Sequence, residues 1–329
     1  MPYHRHFTLP AADQHNVDTA WFDRQKQRSV EKNDPRLRKW LNQEVDALEA
    51  YHGGHEDADR TAASMTRPIS SSRVLDLDTY SNDILALDSL WAVLVKSLIE
   101  WPSSRTCDLF TLLAAITRVP DKIHQGEAAD EDGTPWEWSQ FPYFSLYWPD
   151  HFQPGEICRH CSDEAEIALA RRLYLRIKDL EAQLIAKRVM DLGRWRIQYI
   201  ILALEKDIDE SDRQIATNDA AAYEQVKLDF HIPAISFLLK YNAREIYEQL
   251  VHGELGDLTP AQLLPGVARQ FENGAKRWSF WIRRLKELAQ TDEGDDVAVA
   301  ARSALKSMIS CADVSAKLGM HDHEMYSSM

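Results

Sequence analysis

Glycine and cysteine are both scarce in this chain, and each shortage excludes a class of protein. Only 12 of the 329 residues are glycine, and they are too scattered for the many tight turns of a β-rich fold. The four cysteines (Cys107, Cys158, Cys161 and Cys311) indicate reduced thiols rather than a disulfide framework. We therefore expect an intracellular protein, located in the cytoplasm or, alternatively, in the nucleus.

The chain also lacks long apolar runs and a positive charge balance. No window of about 18 apolar residues occurs, which excludes a membrane-spanning helix. The first residues contain no apolar core of a signal peptide, so secretion by that route is not expected. The formal net charge of −14 argues against nucleic acids and anionic membranes as partners. A protein or a small molecule remains as the expected partner.

Signatures of the common cofactor-dependent and hydrolytic enzymes are missing as well. The sequence contains no G-x-x-x-x-G-K-[ST], G-x-G-x-x-G, G-x-S-x-G or H-E-x-x-H. We therefore predict no cofactor. Whether the chain is an enzyme is left open at this point.

Apolar residues recur at helical spacing along most of the chain. One stripe alternates steps of three and four through Ile84, Leu87, Trp91, Leu94 and Leu98, and sustained period-two alternation is missing. We predict an all-α fold with a mobile arm at 1–34, a short helix and linker at 35–74, one compact multi-helix domain at 75–318 and a flexible tail at 319–329. Further helices are expected to begin at about Asp163, Gly193, Pro233 and Thr259.

An aromatic, proline-interrupted connector at about 131–156 is the densest feature of the sequence. Eight aromatic residues fall within 136–152, and Pro135, Pro142 and Pro149 forbid a long helix between 131 and 152. Core packing is the first interpretation, and a ligand pocket is the alternative. The candidate pocket residues are Trp136, Trp138, Tyr143 and Trp148. Glu137 or His151 would then act as an acid or base beside them.

Two further groups of residues suggest binding. Five cations in a row of eleven residues give a basic aromatic helix that suits an acidic partner, or else pairs with neighbouring acids of its own chain. These candidate interaction residues are Lys276, Arg277, Arg283, Arg284 and Lys286. The second group, Cys158, His160 and Cys161, has the side-chain chemistry of zinc ligands. Because no second such pair lies at the usual spacing, ordinary cysteines are the preferred interpretation and no metal is predicted.

Six blocks of apolar and aromatic positions form a pattern between residues 78 and 310. They lie at 90–91, 138–148, 168–173, 199–205, 277–288 and 304–308. Together they resemble the fungal family called OpdG-like, a domain of unknown function whose members often lie near secondary-metabolite gene clusters. The pattern departs from that family at Phe141, where leucine is expected before the proline. The resemblance implies a link to fungal specialised metabolism and transfers no catalytic residues.

Two functional hypotheses from different classes follow. The first is a non-catalytic accessory or interaction protein, and the alternative is a cofactor-independent enzyme or small-molecule binder with an aromatic pocket. A cyclodipeptide synthase-like activity is disfavoured, because the D-D-x-x-E motif associated with it is missing after Asp295 and Asp296. The acidic charge also disfavours the tRNA substrate of that reaction.

Overall fold

The computed structural model describes residues 7, 9–10, 16–30, 35–70, 79–120, 137–149, 154, 161–205, 228–252, 274–290 and 296–326. All regular structure in these ranges is helical, with eleven α-helices and no strand, so the all-α prediction is confirmed. Among the helices described, none has the length and apolar character needed to cross a membrane. The chain divides into two compact units, Arg5–Asp150 and, in the main, His151–Met329, whereas the sequence suggested one domain at 75–318.

The first unit is a bundle of short helices. Its helices are α1 (Thr19–Val30), α2 (Pro35–His52), α3 (Ala58–Ser70), α4 (Thr79–Glu100), α5 (Thr106–Ile116) and α6 (Phe144–Tyr147), with single 3₁₀ turns at Ser103–Arg105 and Trp138–Gln140. Helix α2 packs against α1, α3 and α4, and α3 also contacts α5.

Two predictions for the N-terminal region differ from the structure. The expected mobile arm contains α1, which buries Trp21 and Phe22 and donates a 2.7 Å hydrogen bond from Trp21 Nε1 to Glu100. The expected linker contains α3, which buries Met65 and Ile69 at helical spacing. Both helices were missed because polar residues surround only a few apolar positions, and packing rather than local propensity stabilises such short helices.

The second unit is organised around one central helix. The helices of this unit are α7 (Glu164–Ala186), α8 (Gly193–Leu204), α9 (Leu228–His252), α10 (Gly274–Ala289) and α11 (Asp296–Tyr326). The central helix α9 contacts α7, α8, α10 and α11, and α10 contacts α8 and α11. Helix α11 extends into the predicted tail, and the helix expected to begin at Thr259 lies outside the described residues before Gly274.

Local signals explain where several helices begin. Asp163 caps α7 as predicted, since its Oδ1 accepts the Glu166 N–H at 2.8 Å. Pro233 was expected to open α9 but lies inside it, because the helix begins at Leu228. The carbonyl of Asp229, which would otherwise bond the missing N–H of Pro233, accepts Arg171 Nε at 2.8 Å. A neighbouring helix thus compensates for the proline.

Candidate functional site

The aromatic connector forms a packed core with α4 in the first unit. Trp138 is 0% exposed and Trp148 is 2% exposed. Trp91 of α4 lies edge-on to Phe144, with ring centroids 5.3 Å apart. Trp91 Nε1 also donates a 2.8 Å hydrogen bond to the carbonyl of Pro142. These contacts favour core packing, the first of the two interpretations of this segment.

The backbone of the connector is held in an unusual conformation around Pro142. Phe141 has φ 48° and Tyr143 has φ 61°, so two bulky residues occupy the left-handed region. Such a conformation costs a non-glycine residue roughly 1–2 kcal/mol. The burial of Phe141 and the bond from Trp91 to Pro142 supply compensating contacts. The strain therefore belongs to a connection that the core fixes in place.

The candidate acid Glu137 is not buried among the tryptophans in the described part of the connector. Glu137 is exposed and its carboxylate accepts a hydrogen bond from Ser139 Oγ at 3.1 Å. Tyr143 is half-buried. Trp136 and His151 lie outside the described residues. Because Glu137 is exposed, it is not the carboxyl group desolvated against tryptophan that the acid–base hypothesis requires.

Of the three candidate zinc ligands, for which no metal was predicted, only Cys161 belongs to the described residues. Cys161 is half-buried, whereas Cys158 and His160 lie outside the described residues. Within the ranges that are described, no three His, Cys, Asp or Glu side chains are grouped as metal ligands would be.

The inner face of the basic helix α10 forms an ion pair with Glu205, an acidic residue of the same unit. Arg277 makes a two-point contact with Glu205, Nε to Oε1 at 2.6 Å and Nη2 to Oε2 at 2.8 Å. Trp281 Nε1 donates to the same Oε1 at 2.6 Å. Glu205 is 0% exposed and Arg277 is 11% exposed. Arg277, a candidate interaction residue, is therefore a structural residue that joins α10 to the end of α8.

The outer face of α10 presents the other cations. Lys276, Arg283 and Lys286 are exposed, at steps of seven and three residues that place them on one side of the helix. The Arg283 guanidinium lies 5.2 Å from the centroid of the Phe280 ring, within cation–π range. Arg284 instead pairs with Glu287 of the same helix at 2.9 Å. Helix α10 thus separates an inward ion pair from an outward cationic face.

A buried polar cluster in the second unit was missed by the sequence analysis. Lys178 and Glu181 of α7 are 4% and 5% exposed and form an ion pair at 2.8 Å. Lys178 Nζ also lies 3.9 Å from the ring centroid of Tyr199. Beside them, Tyr174 Oη is 3.3 Å from His231 Nδ1. A signal was present: Lys178 and Glu181 interrupt the apolar stripe of α7 at a spacing that pairs charges.

The buried charge of Lys178 is stabilised by other residues of the same cluster. Burial lowers the pKa of Lys178, but the Glu181 carboxylate and Tyr199 together raise it above its ordinary value. Burial also raises the pKa of Tyr174 well above the usual range. The adjoining cavity, lined by Lys178, Glu181 and Tyr199, measures ≈ 10 Å³ and has room for about one water molecule. The cavity can hold a water molecule beside the buried charges and is too small for a substrate.

Comparison with known proteins identifies a protein family. The family described as "Protein of unknown function (DUF3632)" matches residues 91–285, more than half of the chain. The match includes Trp91, the connector, Glu205 and Arg277, and it stops short of α1, α2 and α3. No curated protein and no solved structure matches the chain.

Proposed function

The chain belongs to the DUF3632 family of proteins of unknown function, and on that premise we propose that it is a non-catalytic interaction protein. Its partner is an acidic segment of another protein, which binds the outer face of α10. The observation that carries this proposal is the exposure of Lys276, Arg283 and Lys286 on one side of a helix, in a chain of net charge −14.

The geometry of this face suits a helical acidic segment. At about 1.5 Å per residue, Lys276 and Arg283 are roughly 10 Å apart along the axis, and Lys286 follows about 5 Å further on. Phe280 lies between the first two and is half-buried, so it offers an apolar contact at the centre of the charges. A partner helix with carboxylates at matching steps of seven and three would pair with all three cations.

The inner side of α10 fixes which residues face outward. Because Arg277 and Trp281 both bind Glu205, the helix cannot rotate about its axis without breaking a buried ion pair. The cationic face is therefore preorganised, which lowers the entropic cost of binding.

The alternative, a cofactor-independent enzyme or small-molecule binder with an aromatic pocket, requires a polar group buried among the tryptophans. Glu137 is exposed and Trp138 is packed in a core, so the geometry favours the interaction protein. From the OpdG-like resemblance alone, we propose a role in fungal specialised metabolism. The compartment that goes with this proposal is the cytoplasm, with the nucleus as the alternative.

The test uses a fluorescent helical peptide of about 15 residues, with glutamates at steps of seven and three, as the probe. Binding is measured by anisotropy at low salt. A triple variant changes Lys276, Arg283 and Lys286 to glutamine. The matched control changes three exposed cations on other helices of the same unit, Arg172, Arg244 and Lys306, to glutamine, so that the loss of charge is identical.

We expect the face variant to bind the probe at least about ten-fold more weakly and the control variant to change affinity less than about two-fold. Binding by the wild type should also weaken as salt rises from about 0.05 to 0.3 M, because exposed charges are screened. Equal losses in both variants would show non-specific attraction and overturn the proposal. So would the lack of any saturable binding by the wild type.

A further inference from the structure

Helix α10 begins with a glycine that lies directly against the end of α9. A Cβ atom added at Gly274 would overlap the backbone carbonyl group of Leu250 and would lie 3.0 Å from Leu250 Cγ. A backbone carbonyl in a helix cannot move aside as the end of a flexible side chain can. Glycine has no Cβ and therefore allows the two helices to approach this closely.

The close approach brings together helix ends of opposite polarity. Leu250 lies in the last turn of α9, which ends at His252, so that helix has no residue four positions further on to bond its carbonyl. Gly274 is the first residue of α10, where the backbone N–H groups have no acceptor within the helix. The negative end of one helix thus faces the positive end of the next, and the contact is favourable as well as close.

Two further contacts hold α10 beyond its first residues. Trp278 lies edge-on to Tyr247 of α9, with ring centroids 5.3 Å apart. Arg277 and Trp281 both bind Glu205 at the end of α8. Because both contacts begin at or after residue 277, the position of residues 274–276 depends on the approach of the glycine to α9.

Lys276 is the cation that these first residues present. It is exposed and lies two positions after Gly274, whereas Arg283 and Lys286 lie beyond the contact with Glu205. Residues seven positions apart share one side of a helix only when every turn between them is regular. Unwinding or displacement of the first turn would therefore move Lys276 out of line with the other two cations.

We propose that Gly274 is the positioning residue of this cationic face: it seats the first turn of α10 on α9 and so holds Lys276 in line with the other two cations. The inference rests on the proposed binding of an acidic helix to the outer face of α10. A methyl group at position 274 would push the first turn away from α9, while the bonds to Glu205 keep the rest of α10 in place. The lost interaction is then the one made by Lys276.

The first test is a double-mutant cycle with the acidic helical probe. Lys276→Gln and Lys286→Gln are each introduced into the wild type and into Gly274→Ala, and affinities are measured by anisotropy at low salt. We expect each lysine substitution to weaken binding by the wild type about three-fold, as for an exposed ion pair. In Gly274→Ala, Lys276→Gln should change the affinity less than about 1.5-fold, whereas Lys286→Gln should still weaken binding about three-fold.

This pattern separates positioning from a general loss of stability. A substitution that only destabilised the fold would leave the effects of both lysine substitutions unchanged among the folded molecules. Equal effects of Lys276→Gln in the two backgrounds would therefore overturn the proposal. Circular dichroism verifies folding. A Gly274→Ala chain that does not fold would also overturn the proposal, because the contact would then support the whole unit rather than the first turn.

Hydrogen exchange followed by mass spectrometry tests the first turn without any partner. Gly274→Ala should speed amide exchange in a peptide that covers 274–279 and leave it unchanged in one that covers 282–289. Alanine ordinarily favours a helix over glycine, so faster exchange would show the effect of the overlap with Leu250. If the wild type does not bind the probe, the proposed function fails, and the exchange result still decides whether Gly274 seats this turn.

Gly53→Ala is the matched control. A Cβ atom added at Gly53 would lie 2.9 Å from a ring atom of His55, an exposed side chain that can move aside. This variant should change neither the affinity for the probe nor the exchange of α10. Unchanged exchange at 274–279 in Gly274→Ala, or an equal change in both glycine variants, would overturn the proposal.

Discussion

Glu205 is the residue whose replacement tests the structure of the second unit most directly. Three hydrogen bonds converge on its carboxylate, two from Arg277 and one from Trp281, and none of its surface is exposed. The residue at the end of α8 therefore determines the position of α10. We predict that Glu205→Gln, which keeps the shape and removes the charge, strongly destabilises the protein.

The size of the expected loss of stability follows from leaving the Arg277 charge buried without its partner. Removing a single partner costs about 3–5 kcal/mol, because the other charge stays desolvated. Arg277 is 11% exposed and cannot recover its hydration without moving. Against a total stability of about 5–15 kcal/mol for a typical domain, the expected loss is about a fifth or more. Replacing both partners with apolar residues, Glu205→Leu with Arg277→Met, should restore most of it.

The assay is urea unfolding, followed by far-ultraviolet circular dichroism and tryptophan fluorescence. Glu287→Gln is the control, because it removes another Arg–Glu pair of the same helix, Arg284–Glu287, which is 32% and 53% exposed. An exposed pair contributes about 0–1 kcal/mol, so the control should change stability little. If Glu205→Gln costs no more than Glu287→Gln, the reasoning about this buried pair is wrong.

Three further perturbations test other buried groups. Burial raises the pKa of Glu44 well above its ordinary value. The contribution of this group to stability is therefore lost as the pH rises above about 4.3. Glu44→Gln should have a higher melting temperature than the wild type between about pH 5 and 8, and the same melting temperature near pH 4. Lys178→Met leaves Glu181 buried without its cation and should cost about 3–5 kcal/mol in urea unfolding. Because the pKa of Lys178 is raised, the ion pair stabilises the protein fully below about pH 10.4, and this stabilisation is lost as the pH rises further. The difference in the free energy of unfolding between the variant and the wild type should therefore become smaller in alkaline solution. Trp91→Phe removes the bond to the Pro142 carbonyl and should cost about 1–3 kcal/mol, and an unchanged urea midpoint would show that this bond does not secure the connector.

Local patterns were sufficient to predict the elements that carry their own signals. The stripe through Trp91 and Leu94 identified α4, and Asp163 identified the start of α7. The resemblance grouped residues 199–205 and 277–288 without saying why they belong together. Their relation is the contact between Glu205 and Arg277, which pairs residues far apart in sequence and therefore depends on the tertiary fold.

The burial of the cluster around Lys178 also depends on tertiary contacts that the sequence pattern does not show. On a helix, a Lys–Glu pair three residues apart normally indicates a solvated face, and here the same spacing is buried. What distinguishes the two cases is the presence of Tyr199 and His231, contributed by α8 and α9. A sequence shows that a charge interrupts an apolar stripe, but the partners that make its burial tolerable come from other helices.

Proline gives the clearest physical account of what sequence rules miss. Pro102 ends α4 as predicted, whereas Pro68 and Pro233 lie inside helices. In both exceptions the carbonyl four residues earlier accepts a bond from a side chain of another helix, Gln43 in one case and Arg171 in the other. The rule that proline breaks a helix rests on an unsatisfied carbonyl and a steric clash. A neighbouring donor removes the first cost, so a helix can continue through proline wherever tertiary structure supplies one.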